Sequence, residues 1–208
     1  MPIVGTNSGP FRCLLVGVGG QGVRKAAAVL GDAATTAGLD VRVGALYGMS
    51  QRGGSTQNTV LIGPGSTSFL GEGAADLVVG FEPLETQRAL PLMSERTRVV
   101  LNTGRVVPFS VTAGGTEYPP LDRITEKIRR ITSRITTVDA LAAAHEAGDA
   151  RTLNIVMMGV VAELEVLPIS VEALVESIRR QWPNAALAAN RCTFRLGMRA
   201  VTTATETG

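Results

Sequence analysis

The sequence predicts an α/β domain of Rossmann-like type: a mostly parallel sheet with helices on both faces, and a helical C-terminal half. Three observations predict it. Short apolar, β-branched runs bounded by glycine alternate with helical patterns through the first half, as strands and crossover helices do. Twenty of the 24 glycines fall in residues 1–115, where strands and tight loops require them. From residue 121 onward, apolar positions recur instead every three or four residues, the spacing of a buried helix face.

The elements follow in order. Residues 1–10 are polar and glycine-rich and read as a flexible arm. Phe11–Val16 is the first strand. Gly22–Ala37 is alanine-rich and helical, with Gly38 as its natural stop. Val41–Tyr47 is a second strand, and Thr56–Ile62 is a third, closed by Gly63-Pro64-Gly65. Leu77–Phe81 carries no charge and suits a buried parallel strand. Glu82-Pro83 opens a helix, with proline at an early helical position. Arg98–Leu101 is a fifth strand, followed by Asn102-Thr103-Gly104 and an irregular stretch at 105–120. Leu121, Ile124, Ile128, Ile131 and Ile135 form one apolar helical stripe, and Thr136–Val138 a last short strand. Asp139–Gly148, Arg151–Leu164, Ser170–Trp182 and Asn184–Arg199 read as helices, with Ser170 placed to cap. Residues 11–200 make a single domain, with 201–208 as a tail.

Composition removes several function classes. The chain has 208 residues and a formal net charge of +2, so nothing points to nucleic acid. Arginine outnumbers lysine eighteen to two, which reads as genome composition. The longest apolar block, Ile155–Ala162, falls far short of the roughly 20 residues of a membrane span. No charged segment leads into an apolar one at the N-terminus. The expectation is a cytoplasmic protein without membrane contact. Two cysteines, Cys13 and Cys192, cannot build a disulfide scaffold, a four-cysteine iron–sulfur site or a cysteine-rich zinc site. Both are expected to be buried thiols. His145 is the only histidine and lacks a nucleophile signature around it. Met49, Met157 and Met158 read as packing residues.

The main motif is Gly17-Val18-Gly19-Gly20-Gln21-Gly22, a G-x-G-x-x-G between a strand and a helix. Glycines let the backbone turn sharply, and exposed N–H groups beside a helix N-terminus attract an anion. The alternative is a tight turn that binds nothing. A dinucleotide site wants an acid at the end of the second strand, and Val41–Tyr47 ends without one. A P-loop is also absent. The second feature, Gly48-Met49-Ser50-Gln51-Arg52-Gly53-Gly54-Ser55, follows that strand. It sets an arginine fork among glycines, suited to phosphate or carboxylate, or else a solvated arginine in a turn. Glu82 and Glu85 start a helix, where acids favour the positive end; capping is the expected role rather than acid–base catalysis.

These residues, with Phe81-Glu82-Pro83-Leu84-Glu85, Asn102-Thr103, Asn154 and Asn190…Phe194…Gly197, resemble the gamma-type subunits of 2-oxoacid:ferredoxin oxidoreductases, in particular the indolepyruvate type. The resemblance runs from about Arg12 to Arg199. It implies a part in the oxidative decarboxylation of a 2-oxoacid to an acyl-CoA. Thiamine diphosphate and [4Fe-4S] clusters would lie in a catalytic subunit and a ferredoxin-like subunit, passing electrons to ferredoxin. This chain would contribute the coenzyme A and active-site-closing domain and be inactive alone; a homodimer is plausible. Carried over by position, Gly17, Gly19, Gly20, Gln21 and Gly22 match the first loop of the family, and Ser50, Arg52 and Gly53 the second. The sequence departs from the family at Arg24 and Lys25, and in the basic set Arg123, Lys127, Arg129, Arg130 and Arg134, which reads as a solvated helix face. Two rival readings stand beside this one: a free-standing Rossmann oxidoreductase using NAD(P) or a flavin, and a noncatalytic nucleotide-binding scaffold.

Overall fold

A computed structural model describes residues 9–47, 54–65, 67–107, 111, 117–182 and 185–205. Among these residues, six strands form one sheet: β1 (Phe11–Val18), β2 (Val41–Tyr47), β3 (Ser55–Ile62), β4 (Leu77–Gly80), β5 (Arg98–Asn102) and β6 (Ile135–Val138). Their spatial order is β2-β3-β1-β4-β5-β6. β1, β4, β5 and β6 pair in parallel, while β3 pairs antiparallel with both β1 and β2. Five strands therefore run one way and β3 alone runs back. The connection 48–54 is too short for a parallel crossover, which needs a dozen residues or more, so β2 can only hairpin into β3.

The helices placed among the described residues are α1 (Val23–Thr36), α2 (Pro83–Arg88), α3 (Leu121–Arg129), α4 (Ala140–Glu146), α5 (Leu153–Glu163), α6 (Val171–Gln181) and α7 (Ala185–Thr205). They divide between the two faces. Cys13, Leu15, Val60 and Val79 pack with α1, α5, α6 and α7. Leu14, Val16, Val78 and Val99 pack with Leu84 of α2 and with Ile124 and Ile128 of α3. The alternation along β1 sends neighbouring side chains into opposite cores, which is why a parallel strand reads as a continuous apolar run.

α5 is apolar on every side, and all its residues from Leu153 to Ala162 are buried. Such a helix is held inside by a partner rather than by an amphipathic stripe. That partner is α7, and the two cross in backbone contact. A Cβ on Gly159 would lie 2.1 Å from the Phe194 carbonyl oxygen, and one on Gly197 would lie 2.1 Å from that of Val156. Among the described residues, no helix is long and apolar enough to cross a membrane.

Three local expectations are corrected. The stripe 121–135 is not one helix: α3 stops at Arg129, Ile131 is 38% exposed, and Ile135 begins β6. The Thr132 hydroxyl donates to the Thr97 carbonyl at 2.8 Å and accepts from Arg134 N–H at 3.1 Å, so a side chain takes over from the helical ladder and turns the chain into the sheet. Cys192 is exposed. On α7 the buried face is carried by Asn190, Thr193, Phe194, Gly197 and Val201, and Cys192 falls opposite. The last helix runs on to Thr205, beyond the expected end at Arg199.

Substituting Gly197→Ala forces α5 and α7 apart. The expected cost is about 3 kcal/mol, at the upper end for overpacking because a carbonyl and not a side chain must move. Chemical denaturation of the variant against the wild type measures it, and a loss under about 0.5 kcal/mol would show that the helices do not depend on this contact.

Candidate functional site

The carboxyl ends of the parallel strands gather along one edge. The β1–α1 loop, the end of β4, Asn102 at the end of β5 and Ser55 at the start of β3 meet there. β1 is also where the chain order divides: its successor β2 lies to one side, and β4, β5 and β6 to the other. In open α/β sheets this switch point is where ligands bind.

The first glycine loop is built largely by its own hydrogen bonds. The Val18 N–H donates to Gln21 Oε1 at 2.7 Å, the Gly19 N–H to the Gly54 carbonyl at 2.8 Å, and the Gln21 N–H to the Val18 carbonyl at 3.1 Å. Gln21 Nε2 donates to the Phe81 carbonyl at 2.9 Å. Gln21 is therefore engaged at both ends of its side-chain amide and shapes the loop from within. Gly17 packs against Phe81, Val23 and Gln21, with no room for a Cβ. Gly20 has φ 110° and faces open space, and Gly22 has φ 79° as the N-cap of α1. These two glycines, left-handed as few other residues can be, donate to nothing among the described residues. The first amides of α1 have no intrahelical partner either, and no acid sits in that turn to neutralise them. Among the described residues, the donors of this loop without a partner are thus Gly20, Gly22 and the first turn of α1.

Asn154 lies beside this end. It is 3% exposed on the first turn of α5, and a Cβ on Gly22 would come within 2.9 Å of its Cγ. Arg24 and Lys25 are exposed, and Lys25 Nζ sits 5.4 Å from the Trp182 ring centroid. Of the second loop, Ser50, Arg52, Gly53 and also Met49 lie outside the described residues. Its end is tied down: Gly54 receives the Gly19 N–H, and Ser55 Oγ donates to Glu85 Oε2 at 2.6 Å.

Sequence reasoning named Asn102 only as a marker of resemblance, yet it is the hub of this edge. Asn102 Nδ2 donates to the Phe81 carbonyl at 2.8 Å, and Oδ1 accepts from the N–H groups of Gly104 at 3.1 Å and Ala140 at 3.0 Å. A polar residue ending an apolar strand is the signal that could have found it. Two acids follow Phe81. Glu82 is fully buried; it caps α2 by accepting from the Glu85 N–H at 2.9 Å, and takes a second hydrogen bond from the Tyr118 hydroxyl. The Arg105 guanidinium lies 5.1 Å from the centre of the Tyr118 ring. Burial pushes the Glu82 carboxyl above its ordinary value, against the lowering effect of the Tyr118 hydrogen bond. Glu85, 2% exposed, is paired with Arg88 at 2.5 Å. Capping is what the geometry supports for Glu82. His145 is exposed on α4, and Met157 and Met158 are core residues. Cys13 is buried in β1, where burial raises its thiol pKa.

A family model described as pyruvate ferredoxin/flavodoxin oxidoreductase matches residues 12–200. The chain belongs to that family. A relative from Methanothermobacter thermautotrophicus, described as indolepyruvate oxidoreductase subunit IorB, is 37% identical over 187 residues, covering 90% of this chain and 95% of its own length. The gamma subunit of a keto/oxoacid ferredoxin oxidoreductase from Geobacter sulfurreducens has the same fold, with a TM-score of 0.67 at 20% identity over 93% of this chain and 99% of that one. A 2-oxoglutarate:ferredoxin oxidoreductase from Magnetococcus marinus, solved with 2-oxoglutarate, coenzyme A and succinyl-CoA bound, gives a TM-score of 0.71 at 18% identity. It covers 95% of this chain but only 32% of its own, so the fold is there one part of a longer polypeptide.

The raised pKa of Glu82 has a sign. A carboxyl that holds its proton more tightly in the folded state lends stability that is complete below its ordinary value of 4.5 and lost as pH rises through the raised value. Thermal melts from about pH 4.5 to about pH 7 should therefore show the wild type losing Tm relative to Glu82→Gln as pH rises. Parallel curves would refute the assignment.

Proposed function

We propose that this chain is the subunit of a 2-oxoacid:ferredoxin oxidoreductase that closes the active site and positions coenzyme A, with an aryl 2-oxoacid of the indolepyruvate class as substrate. The observation that carries it is the β1–α1 loop: free amides at Gly20 and Gly22, and an unneutralised helix N-terminus at the sheet's switch point, within the 12–200 family match. The substrate class rests on the relative described as an indolepyruvate oxidoreductase subunit.

The role is one of binding and not of acid–base chemistry. Amide N–H groups of Gly20, Gly22 and the first turn of α1 donate to a phosphate of coenzyme A. Gly17, Gly19 and Gln21 hold the loop in the shape that leaves those donors free. Ser50, Arg52 and Gly53 reach the same ligand from the second loop, with Arg52 supplying the counter-charge. Decarboxylation of the 2-oxoacid on thiamine diphosphate belongs to a companion subunit. The two cysteines, one in the core and one on α7, do not make a four-cysteine cluster set, so electron transfer through [4Fe-4S] groups belongs to companions as well.

Titration of coenzyme A into the assembled complex tests the reading. Arg52→Ala should weaken binding by about ten- to a hundredfold, the loss of one charge-assisted contact. Unchanged affinity would remove Arg52 from the site. The purified single polypeptide should not oxidise any 2-oxoacid, and turnover by it, or tight NAD(P) binding, would overturn the subunit assignment.

A further inference from the structure

A groove runs along α7 on the side facing α6. Its deeper end is a cavity of about 170 Å³ lined by Val171, Val175, Ile178, Phe194 and Met198, with Arg191 and Arg195 at its mouth. A second, shallower hollow continues it past Arg195 and Met198 to Arg199, with Glu163 at the far end. Arg191, Arg195 and Arg199 stand four residues apart, one per helical turn, all exposed on the same side of the helix. None makes an ion pair among the described residues, and Glu163 is not within pairing distance of either arginine beside it. The contrast with neighbouring α6 is sharp. There Arg179 pairs with Glu176, and Arg180 with both Glu176 and Asp32.

An apolar cleft with a one-sided row of cations selects its occupant by both properties. The deep end is about the size of a cavity that admits a benzene-sized group, roughly 150 Å³, and so takes a single large apolar side chain. The arginines extend about 12 Å along α7, at 1.5 Å of rise per residue, which is more than one small carboxylate can engage. Nucleic acid would have no use for the apolar floor, and the chain's net charge of only +2 supplies no wider basic field.

We propose that the α6–α7 groove docks an acidic segment of a companion subunit, with one leucine or aromatic anchor in the cavity and carboxylates along Arg191, Arg195 and Arg199. This follows the helix-in-groove mode of recognition, with apolar anchors supplying affinity and the charged rim steering the encounter. The inference rests on the subunit reading above, but it concerns a face formed by other residues than the glycine loops.

The test is assembly of the complex from this chain and its separately purified companion subunits, followed by interferometry across a salt series. Two variants are compared with the wild type: the charge reversal Arg191→Glu/Arg195→Glu/Arg199→Glu, and the groove-filling Val175→Trp, which leaves the charge unchanged. Each is checked by circular dichroism for native folding. Both should raise the assembly Kd about tenfold or more, and the charge reversal should also turn the fall of the on-rate with salt into a rise. At subunit concentrations that restore full assembly, coenzyme A affinity should equal that of the wild type. Assembly by either variant within about twofold of the wild type would overturn the docking proposal while leaving the coenzyme A reading intact. Failure of the wild type itself to assemble would refute the subunit reading and this inference together. Saturable binding of an aryl carboxylate such as phenylacetate, or of anionic vesicles, lost in the charge-reversed variant with assembly unaffected, would assign the groove to a different ligand.

Discussion

One backbone carbonyl, that of Phe81, accepts hydrogen bonds from two side-chain amides arriving from opposite directions. Gln21 reaches it from the β1–α1 loop, and Asn102 from the end of β5. Each donor is itself anchored, Gln21 to Val18 and Asn102 to Gly104 and Ala140. Three strand ends and the start of α4 are thereby joined through a single atom. The Phe81 peptide sits where β4 stops pairing, so its carbonyl has no ladder partner to compete for it. Without these amides the carbonyl would be buried and unsatisfied, a loss of about 1–3 kcal/mol. The loop that turns at Gly20 and Gly22 would also lose its fixed relation to the sheet.

Under the proposed reading, the loop is held in shape by its own hydrogen bonds before coenzyme A binds. A flexible glycine run loses entropy on ordering, and that loss counts against binding. Here the amides of Val18, Gly19 and Gln21 are committed to holding the turn, and those of Gly20 and Gly22 have no partner among the described residues. The residues after the second loop are held as well: the Gly54 carbonyl accepts from the Gly19 N–H, and Ser55 Oγ donates to Glu85. The far side of the molecule is organised differently. α5 and α7 meet backbone to backbone through Gly159 and Gly197, which frees the opposite face of α7 to carry its arginines outward.

Much of this was legible in the sequence because local patterns and tertiary needs agree there. The first strand, the glycine turn and the alanine-rich helix announce one another, and Glu82-Pro83 marks the start of α2 in composition and in structure alike. Other features depend on distant partners and leave weaker traces. Ile131 and Ile135 continue the period of Ile124 and Ile128, but Thr132 finds the Thr97 carbonyl, 35 residues away in the chain, and ends the helix. Cys192 resembles a core residue until the glycine crossing sets the rotation of α7. Gln21 occupies a motif position associated with ligands, and nothing local reveals that the Phe81 carbonyl will claim its amide. The Ser55–Glu85 contact joins β3 to α2 across 30 residues, and no spacing rule connects them.

Two glutamates buried at the edge of a proposed anion site look at first like a contradiction. Coulomb repulsion between a carboxylate and a phosphate at close range in a low-dielectric edge would exceed what a few amides return. The structure answers with two different devices. Glu85 is matched by Arg88, so that pair presents no net charge. Among the described residues Glu82 pairs with no cation; burial raises its carboxyl pKa, against the lowering effect of the Tyr118 and Glu85 hydrogen bonds that hold it in place. The positive end of α1 is then left uncompensated by any acid in its own first turn. Glu82 and Glu85 can thus stiffen the edge without cancelling the electrostatics that an anionic ligand requires.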